Sequence, residues 1–406
     1  MLLILLPALA IHRLDPETRR RRSFAPLALS EKFLIAYVVI SIVSLAANHE
    51  SLGLRLVVSS AEKQLAFLIL YFSARDYLTR GDYRVLGRGI VVLAVISAMV
   101  AILQYIWDPQ FFRVGDSFRG AFGDVGRSTG VFKEEYEHAM YVTFVAIAVG
   151  LWGRGRPLWQ WMCLTLLLGI SVVVTFQRMP WAAFLFAVLC VLVIRWWNNP
   201  RWRHVGVVVG SIVLVLMIWV PWWEPVLRSL PERLLTDRLS ADTLTIRQAF
   251  NEFAVWLIPR YPLGLGDTVA SPIYNQEFYN YGLSLRSSGV GYTVHNGFLS
   301  AAVRYGIAGG LAFGCMLFGF LFVSARRAAV SNAETFILPL LAIVLILYNL
   351  TEDFSSAGVQ TILIAGLLMG CFVGQNLYRS ASNNQNTVPA DAWIKSKPGD
   401  RVVSDA

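Results

Sequence analysis

The chain has 406 residues, 56% of them hydrophobic and only 15% charged, with a mean hydropathy of +0.55. A water-soluble domain cannot hide that much apolar surface, because helices that are apolar all round need lipid or a protein interior. The formal net charge of +9 sits in the short loops between apolar blocks, so it reads as a membrane-orientation signal and not as a nucleic-acid surface.

The apolar blocks follow one another in the pattern of serial membrane spans. Spans are predicted near 33–47, 54–72, 89–107, 137–152, 159–176, 180–197, 204–222, 297–323, 335–350 and 359–377. This predicts an all-α polytopic transmembrane helical bundle that crosses a bilayer ten or eleven times. The first eleven residues, MLLILLPALAI, are too few for a full span. They lack a preceding basic region and a following small-residue cleavage site, so they do not read as a signal peptide. Four regions result: N-terminal transmembrane helices over 1–222, a large outer loop over 223–296, C-terminal helices over 297–379 and a polar, disordered tail over 380–406. Cys163, Cys190, Cys315 and Cys371 all lie in apolar runs. They read as small buried hydrophobes without a disulfide or metal role.

Lys and Arg orient the spans. One set of alternate loops carries Arg19 to Arg22, Arg75 to Arg88, Arg154 and Arg156, Arg201 and Arg203, Arg326 and Arg327, and the tail from Arg379. These are expected in the cytoplasm. The other set is acidic or balanced and faces outward: 48–51, 108–136, the turn at Gln177 to Met179, 223–296 and 351–358.

The large outer loop opens with ERLLTDRLSADTLTIRQAFNEFAVWLIPRYP. Asp242 or Thr243 can cap a helix there. Ile246, Phe250, Phe253 and Leu257 recur at helical spacing, which predicts an amphipathic helix on the membrane or on the bundle, with Arg247 and Asn251 on its other face. A turn, YPLGLGD, follows, then a stretch rich in Tyr, Asn, Ser and Gly that ends at His295-Asn296, where the next span begins. The Asn296 side chain can cap that span.

His295 is the candidate general base. An unperturbed imidazole titrates near about 6.5, so its neutral form is available at working pH. His12 and His204 fall on the cytoplasmic side, and His49 and His138 lie near other outer ends. The plainer reading of His295 is an interfacial histidine bonded to the loop. Outer arginines form the second constellation: Arg178 in a tight turn with Pro180 starting the next helix, Arg127 in GRSTGVF, and Arg247. Fixed guanidinium groups at an outer mouth suit a diphosphate. Asp124 could instead pair with Arg127, and Glu252 or Asp242 with Arg247; the Arg178 turn holds no acid. Arg304 sits nine residues past His295 on the opposite face of the same helix and is expected to pair within the bundle or line a cavity. Gly306, Gly309, Gly310 and Gly314 are expected to let neighbouring helices approach. Glu352 and Asp353 sit at the outer mouth of the last hairpin, and Glu352 is the alternative base or a group that orients His295.

No outer loop has an Asp-x-Asp pair or a His/Cys cluster with ligand spacing, and no P-loop or GxGxxG occurs, so no cofactor and no metal are expected.

Taken together, three motifs resemble the O-antigen ligase and O-antigen polymerase (Wzy-type) superfamily of bacterial envelope glycan enzymes. They are TFQRMPW with Arg178; TIRQAFNEFAVWLIPRYPLGLG with Arg247, Gly264 and Gly266; and HNGFLSAAVRYGIAGG with His295, Asn296, Gly306 and Gly309. RSTGVF resembles the family's Arg-x-x-Gly-x-Phe, although Lys133-Glu134-Glu135 stand where an Asn-Pro pair is common. Arg304-Tyr305 likewise precede Gly306 where an acidic residue is common. The resemblance implies a bacterial inner-membrane glycosyltransferase. It would move a glycan from undecaprenyl diphosphate to an acceptor hydroxyl, of a glycan or of lipid A–core, on the periplasmic face. The competing class is a transporter or flippase of a lipid-linked glycan, which would show paired repeats with broken helices at mid-membrane; no internal repeat is visible.

The Lys/Arg alternation predicts residues 223–296 outside the cytoplasm and the C-terminus inside. A phosphatase fused after Gly266 is expected to be active and one fused after Ser380 inactive. The reverse pattern would overturn the orientation.

Overall fold

The computed structural model describes residues 27–77, 80–113, 128–132, 134–152, 158–175, 177–197, 241–266, 271–281, 294, 296–328, 336–351, 369–370 and 373. Among them every regular element is helical. In chain order these are α1 Leu29–Ala47, α2 His49–Leu52, α3 Leu54–Tyr77, α4 Arg80–Ile106, α5 Glu135–Trp152, α6 Leu158–Val173, α7 Arg178–Trp197, α8 Ala241–Leu257, α9 Pro272–Asn280, α10 Gly297–Ala328 and α11 Ile337–Thr351. The spans expected at 204–222 and, but for Met369, Gly370 and Val373, at 359–377 lie outside the described residues.

Four stretches are long and apolar enough to cross a bilayer: Leu29–Ala47, Leu54–Arg75, Val85–Ile106 and Gly297–Arg326. Trp159–Val173, Met179–Arg195 and Ile337–Leu350 are shorter apolar helices. The helices form a row. α3 packs on α1, α1 on α10 and α10 on α11; α11 meets α7 and α5; α6 packs on both of these; and α4 closes the row against α6 and α5. On α1 the inward stripe is Leu34, Tyr37, Val38, Ser41 and Leu45, while Val39 and Val43 point away from the protein. Val92, Ile96 and Met99 of α4 and Leu311, Phe318 and Phe322 of α10 are exposed in the same way. Such apolar faces suit a surface solvated by lipid. The chain is an all-α, multi-pass membrane protein.

One ion pair is buried at the end of the bundle opposite the large loop. Glu31 Oε1 lies 2.7 Å from Arg75 Nε in an ion pair and accepts a hydrogen bond from Tyr71 Oη at 2.9 Å. Its second oxygen accepts from Ala28 N at 2.7 Å, so the same carboxylate caps the start of α1. A buried charge is tolerated when its partners satisfy it, and these bonds tie α1 to α3. The sequence shows Arg75 as one of the orienting basic residues; the structure gives it this second task.

At the loop end, α10 is broken. Gly306 has φ 77° and ψ 177°, a conformation open to glycine almost alone. A break in a span frees peptide groups that lipid cannot satisfy. Here the extended segment Pro262–Gly266 satisfies them. Ile307 N donates to Pro262 O at 3.2 Å, Leu265 N to Val303 O at 2.9 Å and Gly266 N to Arg304 O at 2.7 Å. From α1, the Ser44 hydroxyl lies 2.7 Å from Leu263 O and 3.0 Å from Arg304 O, and Asn48 Nδ2 donates to Gly264 O at 3.1 Å. The expectation that Gly306 serves helix–helix approach is therefore corrected: it is where the helix opens and the loop segment lies against it. At Gly309 a methyl would strike the Tyr305 side chain of its own helix and meet Ile40 of α1 only at an ordinary 3.6 Å.

Gly264 is also in the left-handed region, with φ 79°, and a methyl on it would run into the Arg304 carbonyl; one on Gly306 would run into the Pro262 carbonyl. Gly264→Ala and Gly306→Ala should each lose at least the about 1–3 kcal/mol of backbone strain, read as a lower melting temperature of the purified protein. Gly314→Ala should be near neutral, because its methyl would meet Phe298 at 3.9 Å, an ordinary contact.

Candidate functional site

The site is built where α8, the α6–α7 turn and the ends of α10 and α11 meet the loop end. Asn296 caps α10 as expected, its Oδ1 accepting from Phe298 N at 3.0 Å and Leu299 N at 3.2 Å. Val294 is fully buried in a cluster with Phe250, Phe253 and Leu257 of α8 and Val303 of α10. The two neighbours of His295 are thereby fixed on the core and on the helix start. His295 itself, Arg127 and Glu352 lie outside the described residues.

The predicted amphipathic helix is α8, and its apolar face is buried as the spacing requires. Asp242 and Thr243 fall inside its first turn and not ahead of it. Arg247 lies in its second turn. Gln248 Nε2 donates to Glu252 Oε1 at 2.9 Å, so that carboxylate already has a partner on its own helix. The aromatic stretch holds a helix, α9, whose start is capped by Ser271 Oγ accepting from Tyr274 N at 3.3 Å. Tyr274 and Phe278 are buried against Phe250 and Phe253, with ring centroids 5.4 to 5.5 Å apart for the pairs Phe250–Phe278, Phe253–Tyr274 and Phe253–Phe278. They form a small core, while Tyr279 remains exposed. Tyr261 donates to Glu277 at 2.9 Å, and partial burial together with that bond keeps its phenol protonated above the usual range.

The other side of the site is the α6–α7 turn. Thr175 Oγ1 donates to Val172 O at 2.7 Å and Trp181 Nε1 to the same carbonyl at 2.9 Å. Arg178 opens α7, with Pro180 in its first turn. Ser128 N donates to Val174 O at 3.3 Å. The RSTG stretch and the Arg178 turn are therefore neighbours, although some fifty residues separate them in sequence. The acids that replace the family's Asn-Pro pair start α5: Glu134 N donates to Glu137 Oε2 at 3.4 Å, and Glu135 and Glu137 lie in the first turn, where negative charge is favoured. Arg304 is buried, as expected, and its carbonyl belongs to the α10 break.

Several buried oxygens here have no hydrogen-bond partner among the described residues. They are Ser128 Oγ, Thr129 Oγ1, Gln177 Oε1, Asn251 Oδ1 and Asn349 Oδ1. Ser128 and Thr129 follow Arg127, Gln177 precedes Arg178, Asn251 is one turn past Arg247, and Asn349 is one turn before Glu352. Asn349 Nδ2 donates to Leu345 O at 2.8 Å, which turns its oxygen toward Gly297, two residues past His295. Buried polar atoms are normally satisfied, so each of these calls for a partner beyond the described residues: a neighbouring side chain, a water, an ion or a ligand. The sequence motifs single out the charged residue next to each of these oxygens and not the amide or hydroxyl beside it. Asn251 alone was marked, through its spacing from Arg247. No group of His, Cys, Asp and Glu suited to a metal occurs among the described residues.

Comparison with known proteins bears on this geometry. The O-antigen ligase family matches residues 163–314, the stretch that holds Arg178, Arg247, His295 and Arg304. No curated protein matches. One chain of a solved structure described as "Structural coordination of polymerization and crosslinking by a peptidoglycan synthase complex" is 18% identical with a TM-score of 0.48, covering 86% of this chain and 97% of that one. The family match falls on the segment that carries the broken helix, the amphipathic helix and the turn of Arg178, and it supports a place for this multi-pass membrane protein in the O-antigen ligase and O-antigen polymerase superfamily.

Proposed function

We propose that the protein transfers a glycan from undecaprenyl diphosphate to an acceptor hydroxyl at the periplasmic face of the bacterial inner membrane. Its C-terminus lies in the cytoplasm. The reading rests on one coincidence: buried oxygens without a hydrogen-bond partner among the described residues fall within four residues in sequence of Arg127, Arg178, Arg247 and Glu352, and Asn349 Oδ1 faces Gly297, two residues past His295; three of those five charged or titratable residues lie within the family match. Carbohydrate is rich in hydroxyl donors and a diphosphate in anionic acceptors. Amide oxygens beside guanidinium groups complement both.

In the reaction, the acceptor oxygen attacks the anomeric carbon of the donor sugar, and the bond from that carbon to the diphosphate oxygen breaks. His295 takes the acceptor's proton. Arg178, Arg247 and Arg127 hold the diphosphate and stabilise the negative charge that develops on it, in a site where such donors act strongly. Glu352 orients His295 or stands in as base. The residues supply this chemistry without a metal. The four regions expected from the sequence fit it: helices over 1–222 and 297–379 form the membrane body, 223–296 covers the site, and the tail 380–406 lies on the other side.

Two measurements test these assignments. Arg178→Ala or Arg247→Ala should abolish turnover while the protein still accumulates in the membrane, whereas Arg304→Ala should mainly lower the amount of folded protein. A fully active Arg178→Ala variant removes the diphosphate clamp. His295→Ala should cut turnover by about 10² to 10⁴, the usual contribution of a general base, with donor binding retained. His295→Gln keeps a hydrogen bond without the basicity and should be nearly as poor; near-normal turnover would mean that the residue orients the acceptor and that Glu352 is the base.

A further inference from the structure

A buried polar network outside the residues assigned so far holds the chain next to Arg127. Gln104, near the end of α4, uses its whole carboxamide on backbone. Its Oε1 accepts from Thr129 N at 2.8 Å and Gly130 N at 3.0 Å, and its Nε2 donates to Gly130 O at 3.0 Å and Phe111 O at 2.9 Å. One side chain thus grips both the segment that leaves α4 and the segment that reaches α5. Beneath it, Ser97 Oγ accepts from Val131 N at 3.3 Å and lies 2.8 Å from His138 Nδ1. His138 Nε2 lies 3.1 Å from Ser171 Oγ on α6, and Ser171 donates to Leu168 O at 2.7 Å. The proton directions follow from that last bond. Ser171 can only accept from His138, so Nε2 carries the hydrogen, Nδ1 accepts from Ser97, and Ser97 accepts from Val131. Gly130, with φ 58°, is seated so closely that a methyl would strike the Ser97 hydroxyl.

The network is neutral, and each of Gln104, Ser97 and His138 is fully or almost fully buried. A satisfied buried network specifies one arrangement strongly, because any slip leaves polar groups without partners. What it fixes is the stretch Ser128–Val131, which also bonds α6 through Val174 O. Arg127 is the residue attached to that stretch, and Arg178 follows Val174 by four residues.

We infer that Gln104, Ser97 and His138 are positioning residues for the diphosphate: they lock Ser128–Val131 against the end of α6 and so set the main-chain anchor of Arg127 beside the Arg178 turn. This rests on the proposed diphosphate role of those arginines.

The test is a double-mutant cycle on affinity for undecaprenyl diphosphate, measured on the full chain in nanodiscs, alongside the melting temperature. Arg127→Ala should weaken binding by about 10-fold or more, as expected for a lost charge-assisted contact. Gln104→Met, of similar volume, should weaken binding several-fold in the parent chain and by less than about twofold in the Arg127→Ala background, since coupled residues are not additive. Additive losses, or unchanged affinity in a folded Gln104→Met variant, overturn the positioning role. If Arg127→Ala and Arg178→Ala both bind as the parent does, the diphosphate reading falls, and positioning with it. Ser97→Ala, which removes only the Val131 and His138 bonds, carries the same cycle should Gln104→Met fail to accumulate.

Discussion

The absence of water inside a bilayer governs this structure more than any single contact. Each peptide group in a span must find its partner within the protein, and α10 breaks that rule at Gly306 unless something else supplies the bonds. Pro262–Gly266 supplies them, and Ser44 and Asn48 of α1 hold that segment from behind. The large loop is thereby part of the membrane body: its backbone completes a span. Two left-handed glycines, Gly264 and Gly306, are what allow two main chains to come that close.

This has a consequence for the site. The first part of α10, from Gly297 to Tyr305, begins at the Asn296 cap and ends at the break. It is held by the loop segment at one end and by the α8 cluster through Val294 and Val303. His295 is attached to a short, doubly fixed piece of helix. Arg247 rides on α8, which packs on that same piece. The loop and the broken helix thus form one mechanical unit, while Ser128–Val131 and the start of α7 at Arg178 belong to another, built on α4, α5, α6 and α7. α11 packs on both α10 and α7 and joins the two.

Much of the fold is legible in the sequence because lipid imposes long apolar runs. The predicted spans at 33–47, 54–72, 137–152, 159–176 and 180–197 differ from α1, α3, α5, α6 and α7 by a few residues at most ends. The amphipathic α8 was legible for the same reason, through Phe250, Phe253 and Leu257. The Gly306 break was not. A glycine in an apolar run signals close packing and helix opening alike, and the choice depends on Pro262–Gly266, some forty residues away. The Gln104 and His138 network was equally hidden. Neutral polar residues inside a span look like ordinary tolerated substitutions until their partners in other helices are known. α9 escaped because a stretch rich in Tyr, Asn, Ser and Gly reads as loop, although Tyr274 and Phe278, four residues apart, face inward.

The broken helix also bears on the choice between a transferase and a carrier. Discontinuous helices in transporters leave unwound peptide groups free to hold an ion or substrate, and such helices come in pairs related by an internal repeat. In α10 the freed groups at Val303, Arg304 and Ile307 are bonded to Leu265, Gly266 and Pro262, so they are not available to cargo. Moving that segment would leave three peptide bonds unsatisfied at once, each costly in an apolar setting. A carrier needs such a region to change partners in every cycle. An enzyme that acts at one membrane surface needs it to stay fixed, because arginines and a base on different helices must keep their spacing through the reaction. The lock at Gly306 therefore favours a static site over an alternating one.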